Sequence, residues 1–257
     1  MPDVRTSLWS AAQGCCQRHA ARALFPRPLA IAGTQPFISF TFDDFPRSAL
    51  HAGGAILERF RLRGTYYASL GLMGRTGPTG DLFTPEDAAA VVRRGHELGC
   101  HTFDHRHSWD TSTGVFRRSL IENTRALESL VPGARFSTFS YPISPPWPRT
   151  KRVVGARFAC ARGGGQAFNT GIADLNYLRA YFLEKARHDP GAIRDVIERN
   201  RAAGGWLIFA THDVAASPTP YGCTPALFED VVVSSLKSGA RIVPVTDALN
   251  ALRALSA

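Results

Sequence analysis

The sequence of 257 residues has no long apolar run. Its longest uninterrupted apolar segments, such as residues 206–210, are far shorter than the roughly 18 residues that a membrane-spanning helix needs. The amino terminus also lacks the apolar core of a secretory signal, because arginine and glutamine recur between residues 5 and 22. We therefore expect a cytoplasmic protein, with peripheral contact at the inner face of the membrane as an open alternative.

Cysteine is scarce and shows no pairing pattern. The five cysteines are odd in number and have neither CxxC nor zinc-finger spacing; they stand at positions 15, 16, 100, 160 and 223. This usage is typical of reduced thiols rather than of a disulfide framework.

Lysine is almost absent from a strongly basic chain. Only Lys151, Lys185 and Lys237 are lysines among the 30 basic residues that give the net charge of +9. A basic balance can attract nucleic acid or an anionic membrane, but no nucleic-acid recognition motif accompanies it. We expect no nucleic-acid partner, and the sequence carries no signal for an oligomeric state.

From residue 37 onward, short β-type runs alternate with helix-type runs, which predicts βα units around a parallel sheet. A short segment ends at residue 101, and the other predicted strands are 37–42, 65–70, 136–141, 157–161, 178–183, 206–211 and 241–244. So many strands predict an α/β fold, a distorted or incomplete (β/α) barrel of about seven strands in a single domain. Residues 37–257 would form the barrel, and residues 1–36 an N-terminal arm or helix.

Helix signals fall between these strands. Helices are predicted at 47–63, 115–131 and 246–255, and a fourth begins with Thr84 as N-cap and is closed by Gly99. The Gly- and Pro-rich segments 71–83 and 142–150 are predicted loops.

The arm carries Leu8, Trp9 and Leu24 beside arginines. This composition leaves weak binding to a membrane surface open. A folded arm that covers the barrel is the favoured interpretation.

Polar side chains follow several of the predicted strands. The residues that end these strands are Asp43, Asp44, His101, His105, Tyr141, His212 and Asp213. Because the carboxyl ends of parallel barrel strands converge on one face, these groups are expected to meet there. Each piece alone is a weak signal, since adjacent aspartates more often serve as loop or helix caps than as a site.

The joint pattern indicates a metal centre. His101 and His105 are four residues apart and can share one face of a helical turn, with His107 as the alternative to His105 in an extended geometry. Two imidazoles and one carboxylate can hold a divalent ion and leave positions open for water and substrate. The pattern predicts that Asp44 binds the ion, while Asp43 takes a proton; zinc is the expected ion, with cobalt or nickel as alternatives.

Four motifs in this order carry a family resemblance: TFDD at 41–44, HTFDH at 101–105, Tyr141-Pro142 and ATHD at 210–213. Over roughly residues 37–245 the chain resembles the polysaccharide deacetylase family, the carbohydrate esterases related to the chitooligosaccharide deacetylase NodB. The resemblance implies a distorted (β/α) barrel that hydrolyses an N-acetyl or other N-acyl group on an amino sugar. The substrate would be an oligosaccharide or a lipid-linked glycan.

The resemblance also implies roles for single residues in the first two motifs. Asp44, His101 and His105 would be the metal ligands. Asp43 would be the catalytic base that removes a proton from the attacking water.

In the later motifs, His212 would be the acid that protonates the leaving amine. The backbone N–H of Tyr141 would stabilise the oxyanion, with Pro142 beside it at the substrate.

The chain departs from the family pattern at three points. Many members carry an arginine just before the third motif, which is missing near Tyr141; Arg162 is the candidate to replace it. Asp174 is the candidate acid to orient His212. Ala210 stands where many members have a leucine that lines the acyl-methyl pocket, which leaves the acyl group open.

Other activities remain open from the sequence. The same metal site could serve a deformylase or another amide hydrolase. The three ligands could also form the iron triad of a non-haem oxygenase, although the spare carboxylate is of no use there. A non-catalytic glycan-binding protein on the same fold is the third alternative.

Overall fold

The computed structural model describes residues 15–31, 33, 35–143 and 145–255. Its strands are β1 (Pro28–Ile31), β2 (Phe37–Phe42), β3 (Thr65–Ala68), β4 (Thr76–Gly77), β5 (Gly80–Asp81), β6 (Glu97–Cys100), β7 (Thr138–Ser140), β8 (Cys160–Arg162), β9 (Gly171–Asp174), β10 (Tyr181–Phe182), β11 (Trp206–Thr211) and β12 (Arg241–Ile242).

The helices of the described chain are α1 (15–23), α2 (Ala55–Arg59), α3 (Pro85–Arg93), α4 (Thr113–Leu130), α5 (Pro148–Gly155), α6 (Pro190–Ala202), α7 (Pro225–Lys237) and α8 (Val245–Leu255). Short turns of other helix types cover Ala49–Gly54, Leu70–Leu72 and Leu183–Lys185.

Seven parallel strands form one curled sheet in the order β10, β11, β2, β3, β6, β7, β8, and β12 pairs alongside β2. The two ends of this sheet approach each other, because a parallel bridge joins Arg162 of β8 to Leu178, just before β10. This architecture confirms the predicted α/β fold with a distorted, incompletely closed barrel.

The sheet is buried on both faces, as parallel sheets usually are. Along β11, Leu207 and Phe209 pack into one apolar cluster, whereas Trp206, Ile208 and Ala210 pack into a second. This alternation follows from the two-residue period of a strand.

Helix α3 begins as the sequence predicts. The Thr84 side chain accepts from the N–H of Asp87, and the Asp87 side chain accepts from the N–H of Thr84, which is a complete capping box. The prediction that Gly99 closes this helix is wrong. Gly95 follows the helix with a φ of +77°, whereas Gly99 lies in β6, where a Cβ would lie 2.3 Å from the ring of Tyr67.

The predicted helix at 47–63 is shorter and contains a wide π-helical turn at Ala49–Gly54 before α2. The rings of Phe42 and Tyr66 approach Gly53 and Gly54 so closely that no Cβ would fit there without movement. The strands predicted at 65–70, 136–141 and 178–183 are also shorter, and α5 begins inside the predicted loop 142–150. The chain leaves the sheet early at these points to form loops.

The described part of the N-terminal segment folds against the barrel. Strand β1 pairs antiparallel with β9, and the buried ammonium of Lys151 donates to the carbonyl oxygens of Ala21 and Leu24, both at 2.7 Å. Leu8 and Trp9 lie outside the described residues, so binding of the arm to a membrane stays a prediction. Within the described ranges, none of the helices combines the length and the apolar character that crossing a bilayer requires.

All five cysteines are free, and Cys100, Cys160 and Cys223 are buried. The structure thus contains no disulfide among its cysteines, as their spacing indicates.

Candidate metal centre and acid–base site

The adjacent carboxylates follow β2 at the carboxyl edge of the sheet. The N–H of Asp43 donates to the carbonyl oxygen of Thr211 at 2.9 Å, which continues the pairing with β11. Asp44 has a φ of 59°, so the chain turns sharply between the two residues. The turn lets the two side chains take different partners, which is why neighbouring carboxylates can serve different purposes.

Three side chains of the predicted metal site meet. The Oδ1 atom of Asp44 lies 3.5 Å from Nε2 of His101 and 3.3 Å from Nε2 of His105. The three ligand atoms lie within 4.8 Å of one another. His107, the alternative ligand, instead pairs with Asp110 through its Nδ1 at 2.6 Å.

The donor set fits a divalent ion. Nδ1–H of His101 donates to the carbonyl oxygen of Ser140 at 2.8 Å, which turns Nε2 toward Asp44. Thr79 donates to Oδ2 of Asp44 at 3.3 Å, whereas the buried Oδ1 has no hydrogen-bond donor among the described residues. A buried oxygen without a donor beside two imidazole nitrogens is the arrangement that a metal ligand set requires.

The electrostatics of the cluster favour the ligand forms of Asp44 and His105. Burial opposes ionisation of Asp44, but the two histidines hold the pKa of its carboxyl well below its usual range. Burial, together with the neighbouring His101, lowers the pKa of His105 to about 4. An ionised carboxylate and a neutral imidazole are the forms that bind metal ions.

Arg162, the residue that the sequence offers in place of the missing arginine, contacts Asp43. Arg162, at the end of β8, is fully buried, donates to Oδ1 of Asp43 and lies 4.7 Å over the ring of Tyr67. Burial would raise the pKa of Asp43, but Arg162, together with His101 and His212, holds it below its ordinary value. Asp43 is thus kept ionised, as a base must be.

His212 directly follows β11 and is the acid that the sequence predicts as the partner of the base Asp43. Its Nδ1–H donates to the carbonyl oxygen of Tyr221 at 3.1 Å, and its ring stacks on Phe182 with centroids 6.4 Å apart. The prediction that Asp174 orients this histidine is wrong. Asp174 lies in β9, where it pairs with Lys151 and accepts from the backbone N–H of Arg27 at 2.9 Å.

The prediction that the backbone N–H of Tyr141 stabilises the oxyanion is wrong. The N–H of Tyr141 donates to the carbonyl oxygen of Arg162 at 3.0 Å, because it continues the pairing of β7 with β8. Pro142 has no N–H, so the next backbone donor of this loop belongs to Ile143. Its φ is 49°, and its side chain is 59% exposed.

Left-handed backbone occurs at several positions in the loops around this site, as it also does at Phe25 and Arg61 outside them. Asp44, Thr102, His105 and Ile143 all have φ between 49° and 61°. Such conformations cost about 1 to 3 kcal/mol each for residues other than glycine and cluster at active sites and ligand clamps. Strain of this kind at four positions is consistent with a site at this edge of the sheet.

Ala210 is fully buried and lies in register with Phe182 across β10 and β11. Since strand side chains repeat every two residues, Ala210 shares a face with His212. Because the side chain of Ala210 is small, Phe182 is the large side chain beside it on the neighbouring strand. Phe182 is a site residue that the sequence did not single out.

Glu184 is a second residue that the sequence analysis missed. It lies in the turn after β10, and its buried Oε2 has no hydrogen-bond partner among the described residues. Burial, with a smaller contribution from the carboxylate of Asp43, raises the pKa of Glu184 to about 7. The sequence gave no sign that Glu184 belongs to the site, because only the folded chain brings its turn close to Asp43.

The raised pKa of Glu184 predicts a pH-dependent stability effect. The ordinary value is 4.5, so between that pH and about 7 the folded protein binds more protons than the unfolded chain, and stability falls as pH rises. We expect Glu184→Gln to raise the free energy of unfolding by about 1 to 3 kcal/mol at pH 8 but by much less at pH 4. Urea unfolding at both pH values measures the difference.

The matched control is Glu128→Gln, because Glu128 is exposed on α4. It should change stability little at either pH. An equal effect of Glu184→Gln at pH 4 and pH 8 would contradict the assignment of a raised pKa.

The comparisons with known proteins concern the family and the fold. Residues 31–156 match the family model described as polysaccharide deacetylase. A search of curated proteins gave no match.

Several solved structures share the fold. The peptidoglycan deacetylase PdaC from Bacillus subtilis is 14% identical with a TM-score of 0.57, over 88% of this chain and 95% of that chain. The T48 deacetylase, solved with its substrate, is 18% identical with a TM-score of 0.57, over 85% and 92%. BA3943, a CE4 family pseudoenzyme from Bacillus anthracis, is 13% identical with a TM-score of 0.59, over 84% and 66%. Because both deacetylases and a pseudoenzyme share this fold, the side chains of the site must decide the activity.

Proposed function

Because the chain belongs to the polysaccharide deacetylase family, whose model it matches over residues 31–156, we propose that it is a metal-dependent hydrolase that removes an N-acetyl group from an amino sugar of a glycan. The observation that carries the proposal is the buried Oδ1 of Asp44, which faces two imidazole nitrogens and lacks any other partner in the described chain. The separate pair of Asp43 and Arg162 supplies a base beside it.

Asp44, His101 and His105 would hold the divalent ion. When bound, such an ion polarises an amide carbonyl and brings the pKa of a water toward neutrality. The contribution of the three residues is to fix its place at the carboxyl edge of β2 and β6. His101 is itself held by the carbonyl oxygen of Ser140.

Proton transfer belongs to Asp43 and His212. Asp43 accepts the proton of the attacking water, and Arg162 keeps its carboxylate ionised and oriented. His212 gives a proton to the leaving nitrogen from Nε2, because Nδ1–H is committed to the carbonyl oxygen of Tyr221. An amine leaves only when protonated, so the acid is as necessary as the base.

The oxyanion of the tetrahedral intermediate needs a backbone donor. We assign this role to the N–H of Ile143, since Tyr141 is committed to Arg162 and Pro142 has no N–H. The left-handed backbone of Ile143 supports the assignment, because strain of this kind is held where a site needs a fixed direction.

Release of acetate tests the proposal. Protein loaded with zinc, cobalt or nickel is incubated with N-acetylglucosamine, with its β-1,4 oligomers and with the N-formylated counterparts of both, and acetate and formate are measured by enzymatic assay. We expect acetate release, and its loss in Asp44→Ala. Formate release from N-formylated glycans in place of acetate would assign a deformylase, and neither product from any glycan would contradict the proposal.

A further inference from the structure

Two adjacent apolar side chains project from the arm at the point where it meets the barrel. Leu24 and Phe25 directly follow α1 and are 46% and 42% exposed. Single exposed apolar residues are ordinary on a protein surface. Among the large apolar side chains that are exposed in the described chain, however, only these two are neighbours in sequence. The pair therefore calls for an explanation in terms of a partner.

The backbone holds this pair outward. The buried ammonium of Lys151 donates to the carbonyl oxygen of Leu24 at 2.7 Å, and the side-chain amide of Asn176 donates to the carbonyl oxygen of Phe25 at 2.9 Å. Phe25 has a φ of 52°, a left-handed conformation that costs energy in residues other than glycine. Pro26 follows, and its ring fixes its own φ. The barrel thus fixes the backbone of this turn, while the two side chains stay exposed.

Arginines surround the pair. The guanidinium of Arg152, on α5, lies 5.8 Å over the ring of Phe25. Phe25 and Arg152 share a surface cavity of about 470 Å³ with Arg149, and Arg152 also lines a second cavity, of about 480 Å³, with residues of α4 and α5. We call the exposed residues of this region the basic face: Leu24, Phe25, Arg117, Arg149, Arg152 and Arg157.

Acidic groups do not balance the four arginines of the basic face. Among the described residues, no aspartate or glutamate lines either cavity, and none of the four arginines takes part in an ion pair. Other arginines behave differently, since Arg59, Arg94 and Arg201 each pair with a glutamate. Four uncompensated positive charges beside an apolar pair favour a partner that is anionic at its surface and apolar beneath.

A bilayer that contains anionic phospholipid has both properties. Its headgroups attract arginine electrostatically, and the boundary of its acyl region takes up apolar side chains. A soluble polyanion offers the charge alone and gives no reason for Leu24 and Phe25 to be exposed together. The sequence that precedes α1 has the same mixture of residue types, with Arg5, Leu8 and Trp9.

We propose that the basic face is a docking surface for a bilayer that contains anionic phospholipid, with Leu24 and Phe25 inserted and the four arginines at the headgroups. The contact is peripheral, because both inserted side chains come from one short turn. None of these residues belongs to the candidate metal centre, so the inference does not depend on the proposed hydrolysis.

Cosedimentation of the full chain with vesicles tests the surface. One set of vesicles is phosphatidylcholine alone, and the other is phosphatidylcholine and phosphatidylglycerol in equal parts. We expect binding to the anionic vesicles that weakens as salt rises, and much weaker binding to the neutral ones. Each arginine near an anionic membrane contributes about fivefold to the association constant. A triple variant should therefore lose at least about 100-fold; its changes are Arg149→Glu, Arg152→Glu and Arg157→Glu.

A second triple variant is the matched control, because it changes the net charge equally at exposed arginines outside the basic face that form no ion pair in the described chain. Its changes are Arg61→Glu, Arg93→Glu and Arg194→Glu. It should retain most of the binding.

Phe25→Asn tests the apolar contribution. It removes the ring, whereas asparagine tolerates the left-handed backbone of this position. We expect the association constant to fall about tenfold while its salt dependence stays the same. Circular dichroism verifies that each variant is folded.

Four results would overturn the inference. The first is no binding to anionic vesicles, and the second is an equal loss in the two triple variants, which would mean that net charge alone drives binding. The third is unchanged binding of Phe25→Asn. The fourth is binding of the soluble polyanion polygalacturonate by this face without binding of vesicles. Acetate release by the wild-type protein decides the proposed function separately, so either proposal can fail while the other stands.

Discussion

Wild-type protein is expected to bind about one divalent ion per chain, and Asp44→Ala and His101→Ala to lose it. Each substitution removes one of three ligand atoms that lie within 4.8 Å of one another. Even residues that merely orient a ligand are typically worth about 10- to 100-fold in metal affinity, so the loss of a ligand should exceed about 100-fold. Metal content after dialysis against a defined zinc concentration, measured by inductively coupled plasma mass spectrometry, gives the result.

His107→Ala is the matched control, because His107 is a neighbouring histidine that pairs with Asp110 instead. It should retain the ion. Full metal content in Asp44→Ala would place the ion elsewhere and remove the basis of the proposed mechanism. Iron alone after anaerobic purification, without acetate release, would favour the oxygenase alternative.

The candidate ligand set could be predicted from the sequence because its information is local. Asp44 directly follows a clear strand, and His101 and His105 are separated by one short turn. Strand ends of a parallel sheet meet at one edge, so the fold class was sufficient to bring the three together. The capping box at Thr84 is local in the same way.

The orienting residues could not be predicted in this manner, because they depend on contacts distant in sequence. Asp174 is held by Lys151 and by the pairing of β1 with β9, which joins residues more than a hundred positions apart. Nothing near Asp174 in the sequence signals that pairing. Tyr221, which does orient His212, acts through a backbone carbonyl that any residue could provide.

Tyr141 illustrates a second kind of error. The position follows a strand, as predicted, but its N–H is still part of the ladder with β8. Strand ends are uncertain by one or two residues, and here that uncertainty decides which N–H is free. Arg162 could be named from the sequence only as a candidate; its fully buried contact with Asp43 required the closure of the sheet.

Asp43→Asn is expected to lower kcat by roughly 100- to 10,000-fold while the protein keeps its metal. Asparagine has nearly the same shape as aspartate but cannot accept the proton of water. Asp43 contacts Arg162 and is not one of the three candidate ligands, so metal content should stay at the wild-type level. Parallel measurement of kcat and metal content separates this outcome from the loss of the ion in Asp44→Ala.

Arg162→Lys tests why Asp43 is ionised in its buried position. The guanidinium is the largest of the charges that lower the pKa of Asp43, and a lysine at this place keeps the charge but loses the planar donor fork. A weaker interaction raises the pKa of Asp43, so the ionised fraction at a given pH falls. The acid limb of the kcat/KM profile should therefore move to higher pH, and the loss of rate should shrink as pH rises. A uniform loss at every pH would mean that Arg162 acts on substrate or on the fold, because only a change in the base's ionisation makes the loss depend on pH.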